Sequence, residues 1–253
     1  MKVAIMQPYF LPYLGYFSLI KQTDQFILFD PVQFIKHGWI ERNRILSPKG
    51  EPQYIAIPLE KHSQTTLIKD IRIRNDENWK EKIKAQLVHY KKKAPYYRET
   101  MSVLDEILKY ETDSIVKMNQ HSLKCICEYL GISADLPIFS EMGLSIESPQ
   151  APDEWALNIC KALGNVDEYW NPTGGASFFE KEKYDAAGID LKFEGVHLDF
   201  YSQRRGPENF VPGLSIIDVM MFNPPEKINE MLDNYYFLTA EEIAEKKKVL
   251  VKK

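Results

Sequence analysis

The chain of 253 residues is long enough for one sizeable hydrophobic core or two small ones. Hydrophobic residues make up 44% of it and charged residues 27%, which is the composition of an ordinary globular protein. The net charge of −4 gives no global reason to expect a nucleic-acid binder. The three cysteines lack the paired spacing of a zinc site, and no apolar run is long enough to span a membrane. We therefore expect a reduced, cytoplasmic protein without a membrane span.

The first thirty or so residues predict the beginning of a parallel sheet. Val3 to Met6 is a short apolar run, typical of a strand buried on both faces. Residues 14–22 carry apolar side chains at helical spacing, and Phe26 to Phe29 is a second apolar run. Strand, helix and strand in this order form a βαβ unit. We expect the two strands to be parallel neighbours in the middle of one sheet.

The rest of the chain alternates between strand and helix patterns. Further strands are expected at residues 54–59, 68–73, 168–170, 191–193 and 196–201. Helices are expected at residues 79–90, 96–110, 114–130, 153–163, 215–222 and 226–231. The first three of these helices predict a helical subdomain at about residues 77–131. As a whole, residues 1–253 predict a single α/β domain with a Rossmann-like, mostly parallel sheet.

A first cluster of polar and aromatic residues follows the first strand directly. It contains Gln7, Tyr9, Tyr13 and Tyr16, with prolines that stiffen the turn. Ligands of open α/β sheets bind beyond the carboxyl ends of the strands, so these side chains lie where a site is expected. The alternative is a rigid aromatic turn that serves only the core. Each buried phenol would then need a hydrogen-bond partner.

A second cluster follows the second strand and should emerge at the same edge of the sheet. Its cationic and polar residues could hold phosphate, its tryptophan could stack on a ligand, and its aspartate could act as a base or a metal ligand. The candidates are Asp30, Gln33, Lys36, Trp39, Arg42, Asn43 and Arg44. We expect one cavity to be lined jointly by Gln7, Tyr16, Asp30, Lys36 and Arg42.

Two weaker clusters lie in the second half of the chain. Gly174 and Gly175, in the stretch NPTGGAS, could present backbone N–H groups to an anion or simply form a turn. Ser215 could cap a helix that carries Asp218 in its first turn, or both could face the pocket together with Gln203. The five histidines have no ligand spacing, so no dedicated metal site is expected.

Several stretches resemble the WbqC-like protein family, in order and over nearly the whole chain. They are IMQPYFLPYLGYFSLI, FDPVQFIKHGWIERNRIL, YWNPTGGASFF, YSQ and LSIIDVMMFN. Proteins of this family are typically encoded among genes for bacterial O-antigen and amino-sugar biosynthesis, and they are regarded as glycine or amino-acid transferases. The family pattern has a second acid where this chain has Pro31, Asn where it has Glu41, and often Gly near Pro224.

The resemblance implies an enzyme that places a glycyl or similar aminoacyl group on the amine of a nucleotide-linked amino sugar. Asp30 is then the first choice for the base that deprotonates the amine, and Asp218 is the second. Gln7, Tyr9 and Tyr16 would polarise the acyl carbonyl. Diphosphate and nucleotide would be held by Lys36, Trp39, Arg42, Arg44, Gly174 and Gly175.

The activated acyl donor is left open between an aminoacyl-tRNA, an acyl-adenylate made with ATP and magnesium, and a carrier thioester. A tRNA donor would need a local basic surface, for which the lysines between Lys80 and Lys93 are the candidate. A homodimer is also left open.

A second, more distant likeness suggests an alternative activity. Residues 7–20 have the layout of the adenylyltransferase pattern GTFDPxHxGHxxLI, with Tyr13 and Tyr16 at the two histidine positions. The alternatives to aminoacyl transfer are therefore a nucleotidyltransferase-like enzyme acting on a sugar or acyl phosphate, and a non-catalytic module that binds nucleotide-sugars.

Overall fold

The computed structural model describes residues 1–204 and 206–251. The strands are β1 (Lys2–Met6), β2 (Gln25–Leu28), β3 (Arg42–Leu46), β4 (Pro52–Ala56), β5 (Glu168–Pro172), β6 (Asp190–Val196) and β7 (Tyr235–Phe237). The α-helices are α1 (Leu14–Gln22), α2 (Trp79–Leu87), α3 (Tyr97–Lys109), α4 (Ile115–Leu130), α5 (Glu154–Leu163), α6 (Lys181–Ala186), α7 (Ile216–Phe222), α8 (Pro225–Asp233) and α9 (Ala240–Val251). Within the described residues, no helix has the length and apolar character needed to cross a membrane.

The main sheet has five strands in the order β2-β1-β5-β6-β7. The pairs β2–β1, β1–β5 and β5–β6 are parallel, and β7 joins β6 in the antiparallel direction. β3 and β4 form a separate antiparallel hairpin. The Rossmann-like, mostly parallel sheet predicted from the sequence is therefore confirmed.

The predicted pairing of the first two strands is confirmed, but the position of the second is not. β1 has a neighbour on each side, whereas β2 is the terminal strand of the sheet. A strap of residues 136–139 covers its free edge, where the Leu28 N–H donates to the Pro137 carbonyl at 2.9 Å. Phe26, Ile27 and Leu28 are buried in spite of the edge position. The strand is apolar because the strap covers its edge, not because it lies in the middle of the sheet.

Alternate side chains of the parallel strands enter two hydrophobic cores, one on each face of the sheet. Val3 and Ile5 point into a core that includes residues of α5 and α6. Ala4 points into the opposite core with Phe17 of α1 and Phe26 of β2. This period of two places helices on both faces of the sheet, as parallel strands require.

The three helices predicted after residue 77 are present as α2, α3 and α4. Ser114 caps α4 by accepting from the Lys117 N–H at 3.4 Å, and Gly131 ends it in the left-handed conformation. The buried side chains of these helices belong to the same core as those of α1.

Two predicted strands are wrong. Residues 68–73 contain a short 3₁₀ turn, Ile68–Asp70, and only isolated bridges flank it. Their isoleucines alternate because they face the core, not because the backbone joins a sheet. The strand expected at residues 196–201 ends at Val196, because its partner β7 is only three residues long.

Candidate functional site

The main cleft lies at the switch point of the sheet. From β1 the chain goes to β2 on one side, and much later β5 is added on the other side. The segments that leave the carboxyl ends of β1 and β5 therefore diverge and leave a crevice, which is where open α/β sheets bind ligands. Here the crevice is a cavity of about 910 Å³.

Several elements supply the walls of the cleft. The end of β1 provides Gln7 and Tyr9, and the loop after β2 provides Gln33 and Ile35. The opposite wall comes from α5 and the loop before it, and from β5 and the turn after it. It consists of Pro149, Gln150, Ala151, Pro152, Trp155, Ala156, Tyr169, Asn171, Gly175, Phe178 and Phe179.

The described walls of this cleft contain no charged side chain and no histidine. The polar groups that remain are amides and phenols, while Trp155 and the half-exposed Phe178 offer aromatic surface. Such walls hydrogen-bond and stack on a neutral polar ligand, and they give no ion pair to a polyanion.

Asn171 and Gly175 fix the shape of the wall formed by β5. The Asn171 Nδ2 donates to the Tyr169 hydroxyl at 2.8 Å, and the Tyr169 ring stacks on Tyr184 at 5.5 Å. A Cβ at Gly175 would meet the Asn171 Oδ1 at 2.2 Å, so the amide in its present position requires glycine at 175. A Cβ at Gly174 would have nothing within 4 Å, and this residue does not line the cleft.

A second cavity, of about 840 Å³, lies beside the cleft and shares Gln33 and Ile35 with it. Its walls carry charged and ionisable groups, so we call it the charged cavity: Lys36, His37, Glu41, Glu60, Lys61 and His62. The shared wall is fixed to the facing loop, because the Phe34 N–H donates to the Thr66 carbonyl at 2.9 Å and the Gln33 amide donates to the Gln64 carbonyl.

His62 is oriented by its own loop. Its Nδ1 lies 2.8 Å from the Glu60 carbonyl oxygen, so Nδ1 carries the proton in that contact and the neutral ring keeps Nε2 as an acceptor. Its ring also packs edge-on against Phe34, at 5.1 Å between centroids. An oriented imidazole with a free acceptor nitrogen can take a proton from a ligand in this cavity.

Tyr16 and Asp30 lie in neither cavity. Tyr16 is buried, and its hydroxyl donates to the Gln7 carbonyl oxygen at 2.8 Å. Asp30 is buried too, and its carboxylate accepts from the Ser140 N–H at 3.1 Å and the Ser140 hydroxyl at 2.6 Å. Tyr16 thus stabilises the turn after β1, and Asp30 holds the strap over β2 in place.

Asp218, in the first turn of α7, is the centre of a buried hydrogen-bond network. Its carboxylate accepts from Tyr90 at 2.5 Å, Tyr201 at 2.6 Å and Gln203 at 2.9 Å. Burial raises the pKa of Asp218, and these three hydrogen bonds oppose the shift. Ser215 caps α7, and its hydroxyl also donates to the Leu11 carbonyl at 2.7 Å. These residues connect α7 to its neighbours and line neither cavity.

The two arginines of β3 are engaged with the protein itself. Arg42 stacks on Tyr54 at 4.2 Å and donates to the His37 carbonyl at 2.5 Å. Arg44 lies over the exposed Trp39 ring at 5.4 Å. Between them, Asn43 is buried, and its Nδ2 donates to the Phe10 carbonyl at 3.1 Å.

The prediction that five named residues line one cavity is therefore wrong. Of these five, only Gln7 lines the cleft, and only Lys36 lines the charged cavity. Tyr16, Asp30 and Arg42 are held by hydrogen bonds inside the fold, because a position just after a strand sets where the backbone goes but not where each side chain turns.

Burial keeps the phenols of the first cluster neutral. It raises the pKa of Tyr9, and it raises that of Tyr13 to about 12, with a further contribution from the nearby Glu194 carboxyl. The Tyr13 ring folds back over Gly15 and lines neither cavity. Tyr9 is thus the tyrosine of this cluster that can donate a hydrogen bond into the cleft.

A third cavity, of about 720 Å³, lies among α2, α3 and α4, away from the strand ends. Two of its lysines are already paired, Lys80 with Glu111 at 3.0 Å and Lys84 with Asp105 at 2.9 Å. Cys125 also lines it, and burial raises the pKa of this thiol, so it is protonated near neutral pH. Within the described part of the chain, no cluster of three His, Cys, Asp or Glu side chains could hold a metal ion.

Sequence reasoning missed several residues that line the two cavities. Trp155, Phe178, Glu41, Lys61 and His62 lie on a helix or in loops whose pattern predicted only local structure. Only their position along the chain could have indicated them. Residues 36–41 lie in the loop between β2 and β3, and residues 60–64 follow the hairpin of β3 and β4.

Fold and cleft together define a Rossmann-like α/β protein with a cleft at the switch point of its sheet. The chain belongs to the WbqC-like protein family, whose model matches residues 7–230. Uncharacterized protein Rv1507c of Mycobacterium tuberculosis (strain ATCC 25618 / H37Rv) is 30% identical over 225 residues, which are 88% of this chain and 93% of that protein. No solved structure matches the chain.

Proposed function

We propose that the protein transfers a glycyl or similar aminoacyl group to the amine of a nucleotide-linked amino sugar in bacterial surface-polysaccharide biosynthesis. Membership of the WbqC-like family supports this class of reaction. The observation that carries the proposal is the pair of cavities with one shared wall, of which one is uncharged and the other charged. A group-transfer enzyme needs two such neighbouring sites, so that the reacting atoms meet at the wall.

The uncharged cleft would take the amino sugar. Amides of Gln7, Gln33 and Asn171 offer donors and acceptors to sugar hydroxyls, while Trp155 and Phe178 cover an apolar face. The diphosphate would leave the cleft beside Gly175, at the end of the turn Thr173–Gly175. The arginines of β3 have no part in this arrangement.

The charged cavity would take the activated aminoacyl donor. Lys36 and Lys61 can contact a phosphate or carboxylate on the leaving group. The sugar amine attacks the acyl carbonyl, a C–N bond forms, and the bond from the acyl carbon to the leaving group breaks with its electron pair. The proton lost by the amine passes to the Nε2 of His62, which replaces Asp30 and Asp218 as the proposed base because both carboxylates are committed to the fold.

The experiment that tests this function is a transfer assay followed by mass spectrometry. Nucleotide-linked amino sugars are incubated with glycyl-tRNA, a glycyl thioester, or glycine with ATP and magnesium. We expect one combination to add a glycyl residue to the sugar amine. Pyrophosphate release from ATP with a sugar phosphate, and no glycyl product, would instead favour a nucleotidyltransferase. Binding without any product from all donors would contradict an enzyme.

Two adjacent glycines provide a matched pair of variants for the same assay. Gly175→Ala drives a methyl group into the Asn171 amide, which must then shift from its place in the cleft wall. We expect binding of the amino sugar to weaken by about fivefold, the equivalent of one lost hydrogen bond of about 1 kcal/mol. Gly174→Ala meets no neighbour and should behave like the wild type. Equal affinities of the two variants would show that the sugar does not bind in the cleft.

A further inference from the structure

Glu41 has a buried carboxylate oxygen without a partner in the wall of the charged cavity. The residue is 9% exposed, and its Oε1 accepts from the His37 N–H at 3.1 Å. Its Oε2 is buried and makes no hydrogen bond. Among the described residues, no cation lies within ion-pair distance of this carboxylate. Half of the group is therefore satisfied and half is not.

An unpartnered buried carboxylate oxygen is unusual, because the desolvation of a charged acceptor is not compensated. Such an atom calls for an explanation, and a donor supplied by a bound molecule or ion is one of the recognised ones. The neighbouring Arg42 does not supply it, since its guanidinium donates to the backbone of His37 and Gly38. The cavity walls place two lysines nearby, yet both are exposed to solvent.

The local backbone holds this carboxylate in place. His37 adopts a left-handed conformation with φ of 66°, which is costly for a residue other than glycine. In this conformation its N–H meets Glu41 Oε1 while its carbonyl is held by Arg42. A strained residue anchored on both sides fixes the rotamer of the acid, which is how a preorganised binding group is built.

The chemistry of the surroundings identifies the missing donor as an ammonium group. A divalent cation would need more than one acidic ligand, and no cluster of three ligating side chains exists within residues 1–204 and 206–251. An ammonium has three N–H donors and one positive charge, which matches a single carboxylate oxygen. Lys36 and Lys61 in the same cavity suit an anionic group on the same molecule.

We infer that the Glu41 Oε2 binds the α-ammonium of the aminoacyl donor and thereby selects aminoacyl groups over plain acyl groups. The inference rests on the proposed function and names the donor class for its charged cavity. All three candidate donors, the tRNA ester, the adenylate and the thioester, carry this ammonium.

A binding experiment with small probes tests the inference without any turnover. Glycinamide carries the ammonium and a neutral carbonyl, while glycolamide has a hydroxyl in place of the ammonium. We expect NMR titration of the full chain to show glycinamide binding at least tenfold more tightly than glycolamide. The shifted amides should include those of His37 and Glu41.

The substitution Glu41→Gln keeps an acceptor for the His37 N–H but removes the charge. It should weaken glycinamide binding at least tenfold and leave glycolamide binding unchanged. Glu51→Gln, an exposed acid outside both cavities, is the control and should change neither affinity. Equal affinity for the two probes in the wild type overturns the inference, as does glycinamide binding that survives Glu41→Gln or is undetectable. The comparison of probes in the wild type needs no variant, so a folding defect in Glu41→Gln leaves it intact.

The same measurements separate this inference from the proposed function. Selective glycinamide binding that depends on Glu41, without glycyl transfer to any sugar, would retain the ammonium site and reject the transferase. Glycyl transfer with an unchanged donor KM in Glu41→Gln would retain the transferase and reject the ammonium site.

Discussion

The buried hydroxyl of Tyr16 stabilises the backbone that forms one wall of the cleft. It donates to the backbone carbonyl of Gln7, whose side chain lines the cleft, and its ring packs against Tyr9 at 5.5 Å. The helix α1 begins at Leu14, so Tyr16 lies in its first turn and faces the core with Phe17. Tyr16 is thus a positioning residue for Gln7 and Tyr9.

Replacing this hydroxyl should cost stability. Tyr16→Phe leaves the Gln7 carbonyl without its donor, and we expect the free energy of unfolding to fall by about 1 kcal/mol. Urea denaturation measures this, and Tyr110→Phe, a half-exposed ring on the surface, should show no change. An unaltered stability of Tyr16→Phe would mean that the hydrogen bond contributes nothing.

At the scale of single residues, the sequence predicted the location of the site better than its members. Three tyrosines and a glutamine after a buried strand pointed to the end of β1, and the cleft lined by Gln7 and Tyr9 lies there. Which tyrosine faces the cleft depends on the residue at which α1 begins, and a shift of one position rotates a side chain by about 100°. The pattern of polar residues does not contain that information.

Among the elements, the strap of residues 136–139 stabilises the sheet at an edge that would otherwise be open. Unpaired N–H and carbonyl groups on an edge strand attract other chains. Asp30 follows β2 and holds the strap through Ser140, so the acid proposed as a base has a structural partner.

Breaking this fastening should destabilise the fold. Ser140→Ala removes the shorter of two hydrogen bonds to the buried Asp30 carboxylate, and we expect a loss of about 1–3 kcal/mol in the free energy of unfolding. The neighbouring Glu141→Gln breaks only an exposed pair with Lys117 and should cost less than about 1 kcal/mol. Thermal or chemical denaturation of both variants checks the expectation, and equal losses would contradict it.

Predictability of the elements follows their length and their burial. The helices α2, α3 and α4 repeat their apolar period over several turns, and the sequence placed them within a few residues. The strand β3 carries two arginines on one side and β7 is only three residues long, so neither gave a strand pattern. The alternation of Ile68, Ile71 and Ile73 resembled a strand, because a chain that crosses a core surface can bury side chains at intervals without forming a ladder.

Over the whole molecule, Glu194 joins three elements that are far apart in sequence. It lies on β6, and it meets the hydroxyl of Ser18 on α1, which is also 2.9 Å from the Leu232 carbonyl on α8. A hydroxyl has one proton, so Ser18 can donate to Leu232 only if a protonated Glu194 donates to Ser18. Burial raises the pKa of Glu194 to about 7, although the hydrogen bond with Ser18 lowers it.

This carboxyl should make stability depend on pH. The folded state keeps a proton that the unfolded state releases above its ordinary pKa of about 4.3, so the contribution is complete below that value and is lost as pH rises through 7. The loss amounts to roughly 4 kcal/mol at most, because the two pKa values differ by about 2.7 and each pKa unit corresponds to about 1.36 kcal/mol. Chemical denaturation at about pH 5 and pH 8 measures it.

Glu194→Gln should remove this pH dependence, whereas Glu182→Gln, on the surface of α6, should retain it. A wild-type stability that stays constant or rises across the interval would contradict the assignment.

The pairing of Lys2 on β1 with Glu168 on β5 has a consequence for folding during synthesis on the ribosome. β1 is synthesised before both of its neighbours, and β5 leaves the ribosome roughly 8–30 s after it at ~5–20 residues per second. Such a high contact order slows folding, and the waiting edge of β1 is exposed to other nascent chains. The strap and β2 can protect only the opposite side. The wall that carries Asn171 is therefore added late in synthesis, and a ligand cannot assist folding before the chain has grown past β5.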